Sequence, residues 1–143
     1  MGNIFEISPA RERFVQGCAN LIQAHKGAVL FIDYGHAQSG LGDTVQAVKD
    51  HQYVDIFDEV GQADITSHVD FEPLVNIAQK TGIRVSPIIP QNTFLYALGI
   101  DARAKSLLKT ANTQQAEGIK SALHRLTAPD QMGTLFKVME MFA

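Results

Sequence analysis

Asp33, Tyr34, Gly35 and His36 close the apolar run that begins AVLFI, and so set a carboxylate, a phenol, a flexible glycine and an imidazole at one point of the chain. An imidazole titrates near neutral pH, so His36 can take or return a proton there, with Tyr34 lining the same pocket. A second gathering, DITSHVD, holds Asp64, Thr66, His68 and Asp70, and His68 and Asp70 alternate as they would on one face of a strand. With His36, His51 and Asp43 there are donors enough for a metal-dependent hydrolase. The spacing points elsewhere: no His-x-x-x-His or Glu-x-x-His falls on a helical stretch, and Asp70 already serves as a helix N-cap, so no metal is expected. Gly40 to Gly42 is the one Gly-x-Gly, and it follows no strand and opens no helix, which makes it a flexible turn rather than a nucleotide loop.

The elements that must position these residues can be read from periodicity. Ser8 and Pro9 are an N-cap and first helical position, and Phe14, Cys18, Leu21 and Ile22 recur at helical spacing up to a stop at Gly27. AVLFID is too short for a helix and apolar on both faces, which predicts a buried, parallel strand whose carboxyl end carries Asp33 to His36, where open α/β sheets bind ligands. Residues 37–69 predict a long, partly structured loop with one short helix at TVQAVKDH. Asp70 caps a helix that stops near Gly82, Arg84 to Ile89 returns as a strand, and Asn92 or Thr93 starts a short helix that Gly99 ends. Asp101 is expected to cap the next helix, another runs from about Gln114 to Leu126, and TLFKVMEMF forms the last strand, with Gly133 giving a tight entry and Lys137 pointing to solvent. The order defines one α/β domain over residues 1–143, yet with only three strands, and AVLFID lacks an evident neighbour on one of its edges.

Bulk properties exclude several classes. The chain has 143 residues, 45% of them hydrophobic, which is enough for a packed core, but no apolar run approaches the roughly 18 residues of a membrane span. MGNIFEISPA puts Glu6 and Pro9 where a secretory leader needs a basic patch and an apolar run. A net charge of -3 with acids and bases interspersed supplies no basic stripe, so a nucleic-acid partner is not expected. Cys18 alone cannot form an internal disulfide and reads as a small buried hydrophobe.

Six phrases in one order, FEISPA, GAVLFIDYGH, GDTVQAVKDH, ADITSHVDF, PQNTFLYALGIDAR and PDQMGTLFKV, resemble the MidA/NDUFAF7 family of class I S-adenosylmethionine-dependent methyltransferases across nearly the whole chain. The resemblance implies a seven-stranded Rossmann-like sheet, of which this chain carries the C-terminal part: the fifth, sixth and seventh strands with flanking helices, the last two forming an antiparallel edge. It also implies methylation of protein arginine, a subunit of respiratory complex I as substrate, and a bacterial cytoplasmic or mitochondrial matrix location. The family's glycine-rich turn after the first strand and acidic residue after the second, which hold S-adenosyl-L-methionine, have no counterpart here, so the isolated chain is expected to bind the donor weakly and to be inactive alone.

On that resemblance, Glu6 and Asp33 are the carboxylates expected to hold a guanidinium, whose planar fork matches carboxylate oxygens, with Tyr34 and His36 beside them. Asp64, His68, Asp70, Gln91 and Arg103 are the candidates for substrate contact. Plainer roles stand next to these: a helix-start acid for Glu6, a turn cap for Asp33, a backbone partner for Gln91, and a surface ion pair for Arg103. The alternative at the level of the whole chain is a protein-binding module without chemistry, derived from such an enzyme. An unpaired sheet edge further predicts an oligomer, or pairing with a separate N-terminal part.

Overall fold

The computed structural model describes residues 3–58 and 60–143. Helix α1 (Pro9–His25) starts where the sequence predicts it, with the Ser8 hydroxyl accepting from the Arg11 N–H and Pro9 in the first turn. Val15, Ala19 and Ile22, four and three residues apart, are its buried stripe. The helix closes one residue before the expected glycine, because Lys26 already takes a left-handed φ of 66° and Gly27 follows at 109°.

Strand β1 (Ala28–His36) runs three residues past the expected end. It is not the buried parallel strand that its composition predicts. Seven consecutive residues, from Ala28↔Phe142 to Tyr34↔Phe136, pair antiparallel with the last strand, β8 (Phe136–Phe142), and only Gly35↔Val69 and His36↔Asp70 are parallel, to β5 (Val69–Asp70). Along residues 28–34 the edge opposite β8 has no partner among the described residues, and Leu30 and Ile32, on the face away from the core, are 46% and 41% exposed.

The stretch between β1 and β5 departs most from expectation. TVQAVKDH forms no helix: β2 (Gln46–Lys49) pairs antiparallel with β3 (Gln52–Val54) and β4 (Asp64–Thr66) in a separate three-stranded sheet. A window of eight residues suits either period; the turn decides. Asp50 and His51 both have positive φ, 49° and 64°, as a two-residue hairpin with strand-matched twist requires, and a short polar side chain such as that of Asp tolerates that region.

Helix α2 (Phe71–Lys80) is capped by Asp70, whose carboxylate accepts the Glu72 N–H at 3.2 Å, and buries Phe71, Leu74 and Ala78. The expected single strand over Arg84 to Ile89 is split into β6 (Arg84–Val85) and β7 (Ile89–Pro90), both antiparallel to β8. Between them Ser86 takes over the pairing with Glu140, its N–H donating to the carbonyl and its hydroxyl accepting from the amide. Helices α3 (Gln91–Ala97), α4 (Ile100–Leu108), α5 (Thr113–Thr127) and α6 (Met132–Leu135) follow. Gly99, not Asp101, occupies the cap of α4, and Asp101 lies in its first turn, where a carboxylate still favours the helix dipole. A capping box of Asn112 and Gln115 starts α5.

The main sheet has the order β5-β1-β8-β6, with β7 also on β8, so the final strand lies between the fifth and sixth strands of the expected set. Met139 and Met141 face α1 and α2 in the core, and Val138, on the alternate face, is covered by α3 and α6. Two glycines are held to their type by close backbone: a Cβ on Gly133 would lie 2.1 Å from the Thr127 carbonyl oxygen, and one on Gly35 would lie 2.0 Å from that of Val69. Gly35→Ala is therefore expected to push β5 off β1 and to lower the unfolding free energy by about 2 kcal/mol or more, as measured by urea denaturation.

Candidate functional site

At the carboxyl end of β1 the segments 5–12, 36–45 and 67–74 enclose an open cleft of about 480 Å³. Its walls include Phe5, Ile7, Leu41, Val45, Pro73 and Leu74, and its polar groups include Glu6, Arg11, His36 and Asp70. An apolar wall lowers the local dielectric, so each charge inside acts more strongly on a ligand than it would in open water.

Glu6 is held chiefly by Thr44. Its two carboxylate oxygens accept the backbone N–H of Thr44, at 2.8 Å, and the Thr44 hydroxyl. Burial pushes this carboxyl's pKa up, but the hydroxyl and N–H of Thr44, the N–H of Val45 and the neighbouring His36 outweigh it and hold the group below its ordinary value. Behind Thr44, Arg11 extends from the first turn of α1 and donates to the carbonyls of His68 (2.7 Å) and Ser67 (3.1 Å) and to the Ser67 hydroxyl (2.9 Å). Across the cleft, Nε2 of His36 lies 3.8 Å from Oδ2 of Asp70, an ion pair once the imidazole is protonated. The same Asp70 oxygen accepts the Ser39 hydroxyl at 2.6 Å, and the Ser39 N–H donates to Glu72 at 2.7 Å, which ties the loop after β1 to the start of α2.

Of the residues that the sequence suggests, Glu6, His36 and Asp70 meet in this cleft. Tyr34 and His68 lie beside each other, ring edge to face at 5.6 Å, and Tyr34 also packs on Phe136. Asp33, within β1, accepts the N–H of the next residue, Tyr34, at 2.8 Å and does not line the cleft. Asp64 is an exposed residue of β4 in the small sheet, and Arg103 is exposed on α4. Gln91 is 4% exposed and donates to the Leu126 carbonyl at 2.8 Å, holding α3 to α5. Lys137 folds its ammonium back onto the carbonyls of Thr134 and Leu135 instead of extending to solvent, and burial lowers its pKa. Arg11, Thr44 and Ser39 escaped the sequence reading because hydroxyls and a helix-start arginine carry no spacing signal; their roles come from partners 31 to 57 residues away. Among the described residues no group of three or more His, Cys, Asp or Glu side chains is arranged to hold a metal ion.

Gly40 and Gly42 line the cleft, but a Cβ on either would meet open space, and the chain proceeds from them to strand β2 with no helix N-terminus. Such a turn does not fit a cradle for a nucleoside-bearing cofactor, which requires glycine for close approach.

A family model of S-adenosyl-L-methionine-dependent methyltransferases matches residues 1–89, and the chain belongs to that family. Within it the chain is MidA/NDUFAF7-like. It is 38% identical over 138 residues to the mitochondrial protein arginine methyltransferase NDUFAF7 homolog of Drosophila melanogaster, and 34% identical over 135 residues to the mitochondrial NDUFAF7 of Xenopus laevis. These alignments cover 96% and 92% of this chain but 31% and 30% of the relatives, so the chain spans about a third of their length. Two crystal structures from Burkholderia thailandensis, each 25% identical, superpose with TM-scores of 0.84 and 0.81, over 96% and 94% of this chain and 38% and 36% of theirs; the second is described as a methyl transferase bound to S-adenosyl-homocysteine. S-adenosyl-L-methionine is thus the family's methyl donor.

Two outcomes follow from the geometry. Arg11→Met, which keeps the length of the stem and removes its three hydrogen bonds, is expected to cost about 2 kcal/mol of stability in urea denaturation. Because the folded-state pKa of Glu6 is lowered, its stabilising contribution is complete above the ordinary carboxyl value of 4.5 and is lost as pH falls through the folded value. The stability difference between the wild type and Glu6→Gln should therefore shrink on acidification below pH 4.5, followed by denaturation at several pH values.

Proposed function

We propose that this chain is the acceptor side of a methyltransferase catalytic domain that transfers a methyl group from S-adenosyl-L-methionine to an arginine side chain of a protein. The observation that carries the reading is the Glu6 carboxylate, held ionised by Thr44 inside an apolar-walled cleft at the carboxyl end of β1. Each of its oxygens keeps a further lone pair after accepting from Thr44, so that one of them can accept an N–H of a guanidinium. The walls suit an aliphatic stem, and Asp70 adds a second negative charge. His36, beside Asp70, is the group to take the proton that the acceptor nitrogen gives up. The names of the relatives, protein arginine methyltransferases, support this acceptor.

The donor belongs to another part of the domain. The unpartnered edge of β1 and the exposed Leu30, Ile32, Phe14 and Leu21 suit a further strand and helix, and the relatives are about three times longer than this chain. In this reading the 143 residues alone are inactive, pair with that part or self-associate through the edge, and act in a mitochondrion, as the word mitochondrial in the relatives' names suggests, in its matrix, or in a bacterial cytoplasm, on a protein such as a complex I subunit.

Calorimetry on the isolated chain should show weak or no binding of S-adenosyl-L-methionine; tight binding would refute the division. Combined with the remaining portion of the Drosophila relative, the chain should methylate an arginine peptide, and Glu6→Gln should lower kcat/KM roughly 30-fold or more, the consequence of about 2 kcal/mol lost from a charge pair. Peptide binding without transfer in that mixture would favour a binding module instead.

A further inference from the structure

We infer that Thr44 is the positioning residue of the cleft, its hydroxyl and its N–H together fixing the orientation in which the Glu6 carboxylate meets a bound cation. This rests on the reading of Glu6 as the guanidinium grip.

Glu6 precedes α1 on a segment without regular structure, and its side chain has three rotatable bonds, so nothing in its own element fixes its direction. Thr44 supplies what is missing. The backbone bond from Gly42 N–H to the Ile4 carbonyl, at 3.0 Å, sets residues 4–6 in register with 42–44. The Thr44 N–H then meets one oxygen of Glu6 and the hydroxyl meets the other. A hydroxyl carries one proton and can rotate, so its direction is ordinarily open. Here the His68 N–H donates to Thr44 Oγ1 at 3.0 Å, which occupies the oxygen as an acceptor and leaves its proton for Glu6. His68 is itself held, because its carbonyl and that of Ser67 accept from Arg11. The line Arg11, His68, Thr44, Glu6 is thus continuous from the first turn of α1 to the carboxylate. Valine has the shape of threonine without the donor, and serine has the donor without the methyl, so the two substitutions separate the hydroxyl from the packing.

The test is carbon-detected NMR titration of Glu6 in the 143-residue chain, with fluorescence-detected binding of a short arginine peptide. In the wild type, the Thr44 amide and Cβ resonances should follow the same inflection as the Glu6 carboxyl; independent behaviour overturns the inference without any variant. In Thr44→Val the Glu6 pKa should rise toward its ordinary value and peptide affinity should fall about tenfold, while Thr44→Ser keeps both near wild type. An unchanged Glu6 pKa in Thr44→Val, or a Thr44→Ser as impaired as the valine variant, refutes the positioning role. If the wild type binds no arginine peptide, the guanidinium reading fails, and the titrations still decide what Thr44 does to Glu6.

Discussion

Everything at the cleft depends on how closely β1 can approach β5. At Gly35 the backbone of Val69 comes so near that no side chain fits between them, and that approach brings His36 opposite Asp70 in the next step of the ladder. Because Asp70 is also the N-cap of α2, the same contact fixes the direction of the helix and the place of its first-turn Glu72. Two residues of parallel pairing would be a weak bond by themselves. They hold because β1 is anchored on its other edge by seven antiparallel pairs to β8, which itself carries the buried Met139 and Met141 of the core.

The second constraint is electrostatic. A carboxylate beside apolar walls loses part of its hydration, and hydrogen-bond donors offset that loss and favour its charged form. Glu6 finds those donors chiefly in Thr44, which is bonded to the backbone at 67–68 that Arg11 secures to α1. The arginine therefore acts on the site at a distance: its charge is spent on carbonyls, and what it delivers is geometry. Asp70 is treated alike, shared between the cap of α2 and the Ser39 hydroxyl. Both acids stay in place at the cleft with acceptor capacity left over.

The sheet is finished on one side only. Its helices α3 and α6 cover one face at β8, while β1 presents an open edge and half-exposed Leu30 and Ile32, with Phe14 and Leu21 of α1 exposed as well. Apolar surface and unpaired strand backbone in one region are what a protein ordinarily covers. The family assignment gives this arrangement a sense: the superposition with much longer methyltransferase chains covers nearly all of this one and a little over a third of each of them.

Helix α1 and its Ser-Pro start, the cap at Asp70, the apolar run of β1 and the last strand were legible in the sequence, because caps, turns and periodicity are local properties of a few neighbouring residues. So were the family and three members of the cleft, Glu6, His36 and Asp70, since their phrases lie in contiguous stretches. Pairing was not legible. The antiparallel partner of β1 is more than a hundred residues away, and the hairpin at Asp50 and His51 turned an apparent helix into a strand once β4 gave it a second edge. Thr44 and Arg11 reach the cleft, Ser39 ties its loop to Asp70, and Gln91 joins α3 to α5 only in three dimensions: a hydrogen bond between distant residues is a property of the packed chain, with no signature in the order of its amino acids.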